Sequence, residues 1–320
     1  MGSTASVVPR IPVISLRGDA LTEQGADWTS ACRATRLALE EYGWFELVYD
    51  VVEPTEEVHG SVHGAMEELF SLPRETKMRN KSPRLAQGYS GKNSVLPNFE
   101  GLGLDGVTDK AACEAFTNLM WPQGNPHFSD VVHRYGLMMA EVQKLVVKMV
   151  VESYGIGKEK EEAVANSTTY LLRLLRYERS PTVETNIGLK AHIDKSFITV
   201  LHQNHVHGLE VRSRDGQWIP YRPSSPSSFA VLAGDILMAW SNDRIQSCYH
   251  RSFIDSDETR YVVGLFTFVT GIIEAPEELV DEEHPLRYKP FLNQDFLDFY
   301  ASSTVPDKNE ANMVKLYCGI

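Results

Sequence analysis

The chain has 320 residues, 42% of them hydrophobic and 23% charged, with 31 Lys and Arg against 43 Asp and Glu for a net charge of −12. This composition excludes disorder along the whole chain. The acidic balance excludes nucleic acid and anionic membrane as main partners, because both demand clustered positive charge. At the N-terminus, Met1-Gly2-Ser3-Thr4-Ala5-Ser6 fits the loose myristoylation pattern, against the plainer expectation of a disordered tail. Pro9, Arg10 and Pro12 follow without an apolar secretory core.

Residues 27–42 read as a helix, with Trp28, Ala31, Cys32, Leu37 and Leu39 on one side and Gly43 as its stop. A short strand follows over 44–48. Pro54 opens a second helix whose apolar face is Val58, Val62, Met66, Leu69 and Phe70, and Pro73 ends it. Residues 86–106, rich in Gly and Asn, read as a loop. Ser129 is expected to cap a long helix with the stripe Val132, Tyr135, Met139, Val142, Leu145, Val146 and Met149, closed by Gly155.

After residue 166 the period changes from 3.6 to 2 or to short apolar runs. Strands are expected over 168–177, 197–202, 209–213 and 217–220, with Asp215-Gly216 as a hairpin turn. More follow over 229–233, 236–240, 247–254 and 261–269, and 292–301 reads as a final helix. About eight strands with turns between them suit a jelly roll. The expected unit is mainly β with α: a helical region with short strands over 1–165, a β core over 166–275, and a helical segment over 276–320. No linker divides them.

Cys32, Cys113, Cys248 and Cys318 are few and widely spaced, so no disulfide framework is expected and the reducing cytoplasm is the expected location. Cys318 stands one place too late for a prenylation box. No run of eighteen apolar residues suggests a membrane span.

His192-Ile193-Asp194 is the first metal candidate, because residues i and i+2 of an extended segment share a side. Alone it is a weak signal, equally read as a surface His beside a solvated Asp. His250 on a later strand-like run, followed by Arg260, completes a constellation. Two His and one carboxylate occupy one face of an octahedral metal, the ligand set of non-heme Fe(II) oxygenases. A bidentate 2-oxo acid fills two open positions and O₂ the third. Arg suits the acid's far carboxylate through two parallel hydrogen bonds. A rival zinc site is His202, His205 and His207, whose spacing matches no trusted template. His59 and His63, at i and i+4, read as a solvated helix face. Gly101-Leu102-Gly103 lacks a third glycine for a phosphate loop, and no Gly-x-Ser-x-Gly elbow is present.

The chain resembles the plant Fe(II)/2-oxoglutarate-dependent dioxygenases, and within them the clade of glucosinolate side-chain (AOP-type) and auxin-oxidising enzymes. The resemblance runs nearly end to end. It includes Ala38-Leu39-Glu40-Glu41-Tyr42-Gly43-Trp44-Phe45-Glu46, Ala65-Met66-Glu67-Glu68-Leu69-Phe70 and Leu189-Lys190-Ala191-His192-Ile193-Asp194-Lys195. It continues through Leu201-His202-Gln203-Asn204, Gly208-Leu209-Glu210-Val211, Pro226-Ser227-Ser228-Phe229, Ala239-Trp240-Ser241-Asn242-Asp243-Arg244, Tyr249-His250-Arg251 and Ala275-Pro276-Glu277-Glu278-Leu279-Val280-Asp281.

The resemblance implies a double-stranded β-helix (jelly-roll) core wrapped by N-terminal helices and a C-terminal helix. It implies Fe(II) on His192, Asp194 and His250, with 2-oxoglutarate and O₂ as co-substrates and ascorbate as reductant. Arg260 and Tyr177 would hold the distal carboxylate of 2-oxoglutarate. Val262 stands where the family usually has Ser. It cannot donate that hydrogen bond, so 2-oxoglutarate binding weaker by several-fold to about tenfold is expected. Ile193 replaces the usual Thr and should point away from the metal. Leu175-Arg176-Tyr177-Glu178 keeps only the tyrosine of the usual Asn-Tyr-Tyr-Pro run.

The implied activity is oxidation of a small plant metabolite by hydroxylation, desaturation or dealkylation, in specialised or hormone metabolism. The competing reading is a non-catalytic metal-binding jelly roll with weakened 2-oxoglutarate binding. Substrate contacts are expected from residues 94–107, Trp121, Lys195, Phe197, Phe266, Phe296 and Tyr300. A monomer with no nucleic-acid or membrane partner is expected.

Overall fold

The computed structural model describes residues 11–17, 26–50, 55–84, 87–181 and 183–320. The Met1–Ser6 pattern and Pro54 lie outside the described residues. The first part of the chain forms β1 (Val13–Arg17), α1 (Ala26–Tyr42), β2 (Trp44–Asp50), α2 (Thr55–Ser71), α3 (Arg74–Lys77), β3 (Ser90–Gly91), β4 (Phe99–Asp105), α4 (Lys110–Met120), α5 (Pro126–Ser153) and α6 (Lys158–Ser167). Then come β5 (Thr168–Tyr177), β6 (Ile187–Ile193), β7 (Ile198–Gln203), β8 (Leu209–Arg212), β9 (Trp218–Pro220), β10 (Ser228–Ala233), α7 (Asp235–Trp240), β11 (Tyr249–Phe253), β12 (Arg260–Val269) and β13 (Ile272–Ile273). β14 (Phe291–Leu292), α8 (Asn293–Ser302) and α9 (Met313–Cys318) end the chain.

Among the described residues, an eight-stranded sheet runs β1-β2-β10-β7-β12-β5-β4-β3 and a four-stranded sheet runs β6-β11-β8-β9. The two close on an interior cluster. Leu175, Tyr177, Leu201, Leu232 and Val262 come from the large sheet, Leu209 and Val211 from the small one, with Phe99, Trp44 and Tyr221 beside them. The alternate residues of the same strands, Leu172, Leu174, Val200, Val263 and Leu265, belong to a second cluster with Val132, Tyr135, Met139 and Val142 of α5. Both faces of the large sheet are therefore covered. That is why β5 and β12 read as apolar runs instead of a clean alternation. This is the jelly roll that the strand count suggested, with helices from both ends of the chain on its outer face.

Several expectations need correction. The stretch 86–106 is not a loop throughout, because β4 pairs with β5 along its length and buries Phe99, Leu102 and Leu104. Its glycines mark close approach: a Cβ on Gly103 would collide with the Gln87 carbonyl. Residues 236–240 form α7 instead of a strand. All of its side chains are buried, and periodicity alone does not separate such a segment from a buried strand. The long helix begins at Pro126, capped by Asn125, whose Oδ1 accepts from the Phe128 amide at 3.1 Å; Ser129 lies inside the first turn. α4, α6 and α9 were not anticipated, and α9 lies beyond the helix expected to be last.

The turn after α7 fastens the C-terminal segment. Asn242 and Asp243 both take positive φ, a conformation that Asn and Asp tolerate better than most residues. The Asn242 amide donates toward the carbonyls of Leu279, His284 and Pro285, while Arg287, Tyr288 and Lys315 converge on the Asp243 carboxylate.

His59 and His63 do not sit on a solvated face. Their side of α2 packs on α5 and the large sheet. His59 is 4% exposed, shares a hydrogen bond at 2.9 Å with the Tyr135 hydroxyl, and stacks on His202 at 3.8 Å. His63 lies parallel to His202 at 5.4 Å. Burial, with repulsion from neighbouring imidazoles, lowers His59 and His63 from 6.5 to about 4. The unfolded chain therefore takes up these protons before the folded chain does. Stability should be fully present above pH 6.5 and fall as pH drops toward 4, by up to about 1.4 kcal/mol per unit for each ring. Replacing His63 with Phe, which stacks without titrating, is expected to flatten this fall in urea-denaturation midpoints measured from pH 7.5 to 4.5. An unchanged slope would show that His63 does not contribute.

Candidate active site

β6 and β11 are antiparallel, and their register sets His192 directly opposite His250. The two ring centroids are 4.4 Å apart. Asp194 lies just past the end of β6. Its Oδ1 is 3.5 Å from His192 Nε2, and its Oδ2 is 3.9 Å from His250 Nε2. Among the described residues, these three form a group whose ligand atoms all lie within 4.8 Å of one another. His192 Nδ1 lies 2.8 Å from the Lys190 carbonyl, and His250 Nδ1 lies 3.1 Å from the Cys248 carbonyl. A carbonyl only accepts, so both Nδ1 atoms carry a proton and each Nε2 is the ring atom turned toward Asp194.

Burial pushes His250 down to about 4, leaving it neutral at neutral pH. Burial also works to raise Asp194, but the flanking imidazoles and the Thr199 hydroxyl, which donates to Oδ2 at 2.7 Å, outweigh it and hold the carboxyl well below its usual range. Two imidazoles and one carboxylate converge, which is a donor set for a divalent transition metal. Ile193 alternates away from the pair, as expected for an extended segment.

Arg260 begins β12 opposite Tyr177 on β5, with its guanidinium 5.0 Å from the centre of the tyrosine ring. It is 3% exposed. One Nη donates to Gln203 Oε1 at 2.8 Å; among the described residues, Nε and the other Nη have no partner. A buried cation with two unused donors is a recess for an anion. Val262, two residues on, faces the same interior. Arg173 on β5 also points inward, opposite Gly264, and its guanidinium reaches Ser90 Oγ at 3.3 Å.

The rival histidines are not brought together. His202 is committed to the imidazole stack, His205 is exposed and pairs with Glu258 at 2.8 Å, and His207 contacts Gln203. Among the substrate candidates, Lys195, next in sequence to Asp194, has its ammonium 2.6 Å from Asp235 and 4.9 Å from the centre of the Tyr300 ring, which places both Lys195 and Tyr300 near Asp194. Phe266 shares the inward face of β12 with Arg260. Phe197 and Phe296 are core side chains, 1% and 0% exposed, and Trp121 packs on Phe128 in the helical layer. Their aromatic character suited a pocket, but packing claimed them. Thr199, Gln203 and Asp235 were missed. No spacing marks them, because each acts only through a neighbour that folding supplies.

Two family models match the chain: the 2OG-Fe(II) oxygenase superfamily over residues 168–269, and the non-haem dioxygenase N-terminal region, described from morphine synthesis, over 11–115. A curated relative, the probable 2-oxoglutarate-dependent dioxygenase AOP1 of Arabidopsis thaliana, is 41% identical over 303 residues, 92% of this chain and 98% of that protein. The chain belongs to the 2-oxoglutarate/Fe(II) oxygenases. Solved structures of this family agree in fold. Rice dioxygenase for auxin oxidation matches with a TM-score of 0.76 and 28% identity, covering 92% of this chain and 95% of that one. The Arabidopsis thaliana auxin-oxidising enzyme bound to 2-oxoglutarate matches with a TM-score of 0.75 and 25% identity, covering 86% and 100%. This oxygenase is thus a 2-oxoglutarate-dependent dioxygenase, an enzyme class that uses Fe(II) and 2-oxoglutarate. Among its described residues, no helix is long and apolar enough to cross a membrane.

The Lys195–Asp235 pair is buried, and the Asp235 amide also donates to the Asp194 carbonyl at 2.9 Å. Replacing Lys195 with Met leaves a buried carboxylate without its cation. A loss of about 3–5 kcal/mol in stability is expected, read as a lowered chemical-denaturation midpoint. A midpoint within 0.5 kcal/mol of the parent, roughly the scatter of surface substitutions, would mean that Asp235 is neutral in the fold.

Proposed function

We propose that His192, Asp194 and His250 hold Fe(II), and that Arg260 and Tyr177 anchor the far carboxylate of 2-oxoglutarate. The substrate is a small plant metabolite, oxidised by hydroxylation, desaturation or dealkylation. The observation that carries this reading is one arrangement: three convergent ligand atoms, with both Nδ1 edges held by backbone carbonyls, in the same sandwich as a buried guanidinium with unused donors. The auxin oxidation named for two structural relatives supports a small-molecule substrate.

When bound, Fe(II) supplies the O₂ chemistry coupled to decarboxylation of 2-oxoglutarate to succinate and CO₂. This chain's residues bind, orient and exclude. The Lys190 and Cys248 carbonyls fix the imidazole edges, and Thr199 fixes the carboxylate. Arg260 sets the depth at which the co-substrate sits. Lys195, Tyr300 and Phe266 form the wall nearest the substrate position, with Phe197 and Phe296 in the core and Trp121 in the helical layer. Residues 1–320 act as one unit around the 166–275 core. The same reading has ascorbate as reductant, a monomer and a cytoplasmic location.

Anaerobic addition of Fe(II) and 2-oxoglutarate is expected to produce a visible charge-transfer band, and succinate release over a metabolite panel then identifies the substrate. The double substitution His192→Ala, Asp194→Ala is expected to abolish stoichiometric iron; retained iron would overturn the ligand assignment. Arg260→Ala removes the charge partner of the far carboxylate and is expected to weaken 2-oxoglutarate by roughly 2–5 kcal/mol in a band titration, with iron binding unchanged.

A further inference from the structure

The usual Ser hydroxyl near the co-substrate anchor is absent here, because position 262 is Val. The interior cluster that contains Val262 and Tyr177 holds one more phenol, Tyr221. It follows β9, and its backbone amide donates to the Leu209 carbonyl at 2.8 Å. That pins it beside Gly208, where the Arg260 side chain passes. A Cβ on Gly208 would lie 3.1 Å from Arg260 Cδ and 3.4 Å from Nε. Tyr221 is 2% exposed, its ring set edge-on to Trp44 at 5.7 Å.

Among the described residues, the Tyr221 hydroxyl has no hydrogen-bond partner, and neither do Arg260 Nε and one Nη. Burying a hydroxyl without a partner is costly, so an unpartnered phenol within electrostatic reach of an equally unpartnered guanidinium edge points to a missing acceptor. Burial pushes the Tyr221 phenol well above its usual range, so it keeps its proton and donates.

We propose that the Tyr221 hydroxyl donates to the distal carboxylate of 2-oxoglutarate, taking the place of the serine hydroxyl lost at Val262. Tyr221 is then a co-substrate-binding residue that selects dicarboxylate 2-oxo acids. This rests on the assignment of Arg260 as the carboxylate anchor. The geometry also gives a reason for Val262: a phenol from the small sheet supplies the donor, so the large sheet needs only an apolar contact.

The test is an anaerobic titration of the Fe(II)-loaded protein, following the visible band and, separately, binding heat. Tyr221→Phe is expected to bind 2-oxoglutarate about tenfold more weakly, as for loss of one hydrogen bond to a charged group. Binding of 2-oxobutyrate, which chelates alike but lacks the far carboxylate, is expected to be unchanged. Adding Val262→Ser to Tyr221→Phe is expected to restore most of the loss. Equal 2-oxoglutarate affinity in parent and Tyr221→Phe would overturn the proposal. A parallel loss for both acids would also overturn it, because that is the signature of a structural role. A parent that binds neither acid overturns the underlying site assignment as well.

Discussion

His192 and His250 face each other across two antiparallel strands, and the candidate metal centre depends on that register. A slip of one residue would turn one imidazole to the opposite face, because side chains alternate with a period of two. The pairing is held from both sides. β11 also pairs with β8, and past β6 the Asp194 carbonyl accepts from the Asp235 amide. Asp235 in turn is paired with Lys195. Ligand geometry is therefore a property of the sheet and of one buried ion pair, with little left to side-chain freedom.

The overall charge of −12 describes the exterior. Inside the sandwich the balance is different. Arg173 and Arg260 point inward from the large sheet, Asp194 lies between two imidazoles, Asp235 pairs with Lys195, and Glu46 accepts from Ser224 and Ser228. A buried guanidinium with unused donors lies inside an acidic protein, so net charge was a poor guide to the interior.

Much of this was legible in the chain. His-x-Asp, a later His on a strand-like run and a following Arg identified the donor set, because a strand's period puts those groups on one side. The long β5 and β12 were visible as apolar runs. What was not legible depended on tertiary context. The short α7 is buried all round and has no period to read. β4 carries glycines that look like loop residues until Gln87 and Arg173 are seen against them. His59 and His63 looked solvated because imidazole is polar, yet a stack with His202 accommodates them. Phe197 and Phe296 were indistinguishable from pocket aromatics, since only packing separates the two. Thr199, Gln203, Tyr221 and Asp235 gain meaning only from the residues they touch.

The two-residue turn at Asn242 and Asp243 works as a buckle. On one side is α7, whose first residue, Asp235, braces the ligand-bearing loop. On the other is the C-terminal stretch that delivers Tyr300 to the wall above Lys195. Because the strap is tied at Leu279–Arg287 and again at Lys315, its exposed positions between those knots can vary in sequence, while buried ones such as Asn293 and Phe296 stay packed. Divergence at those exposed positions can therefore proceed while the candidate metal site stays fixed. A chimera that exchanges the strap between relatives keeps its seating only if the residues that grip Asn242 and Asp243 travel with it.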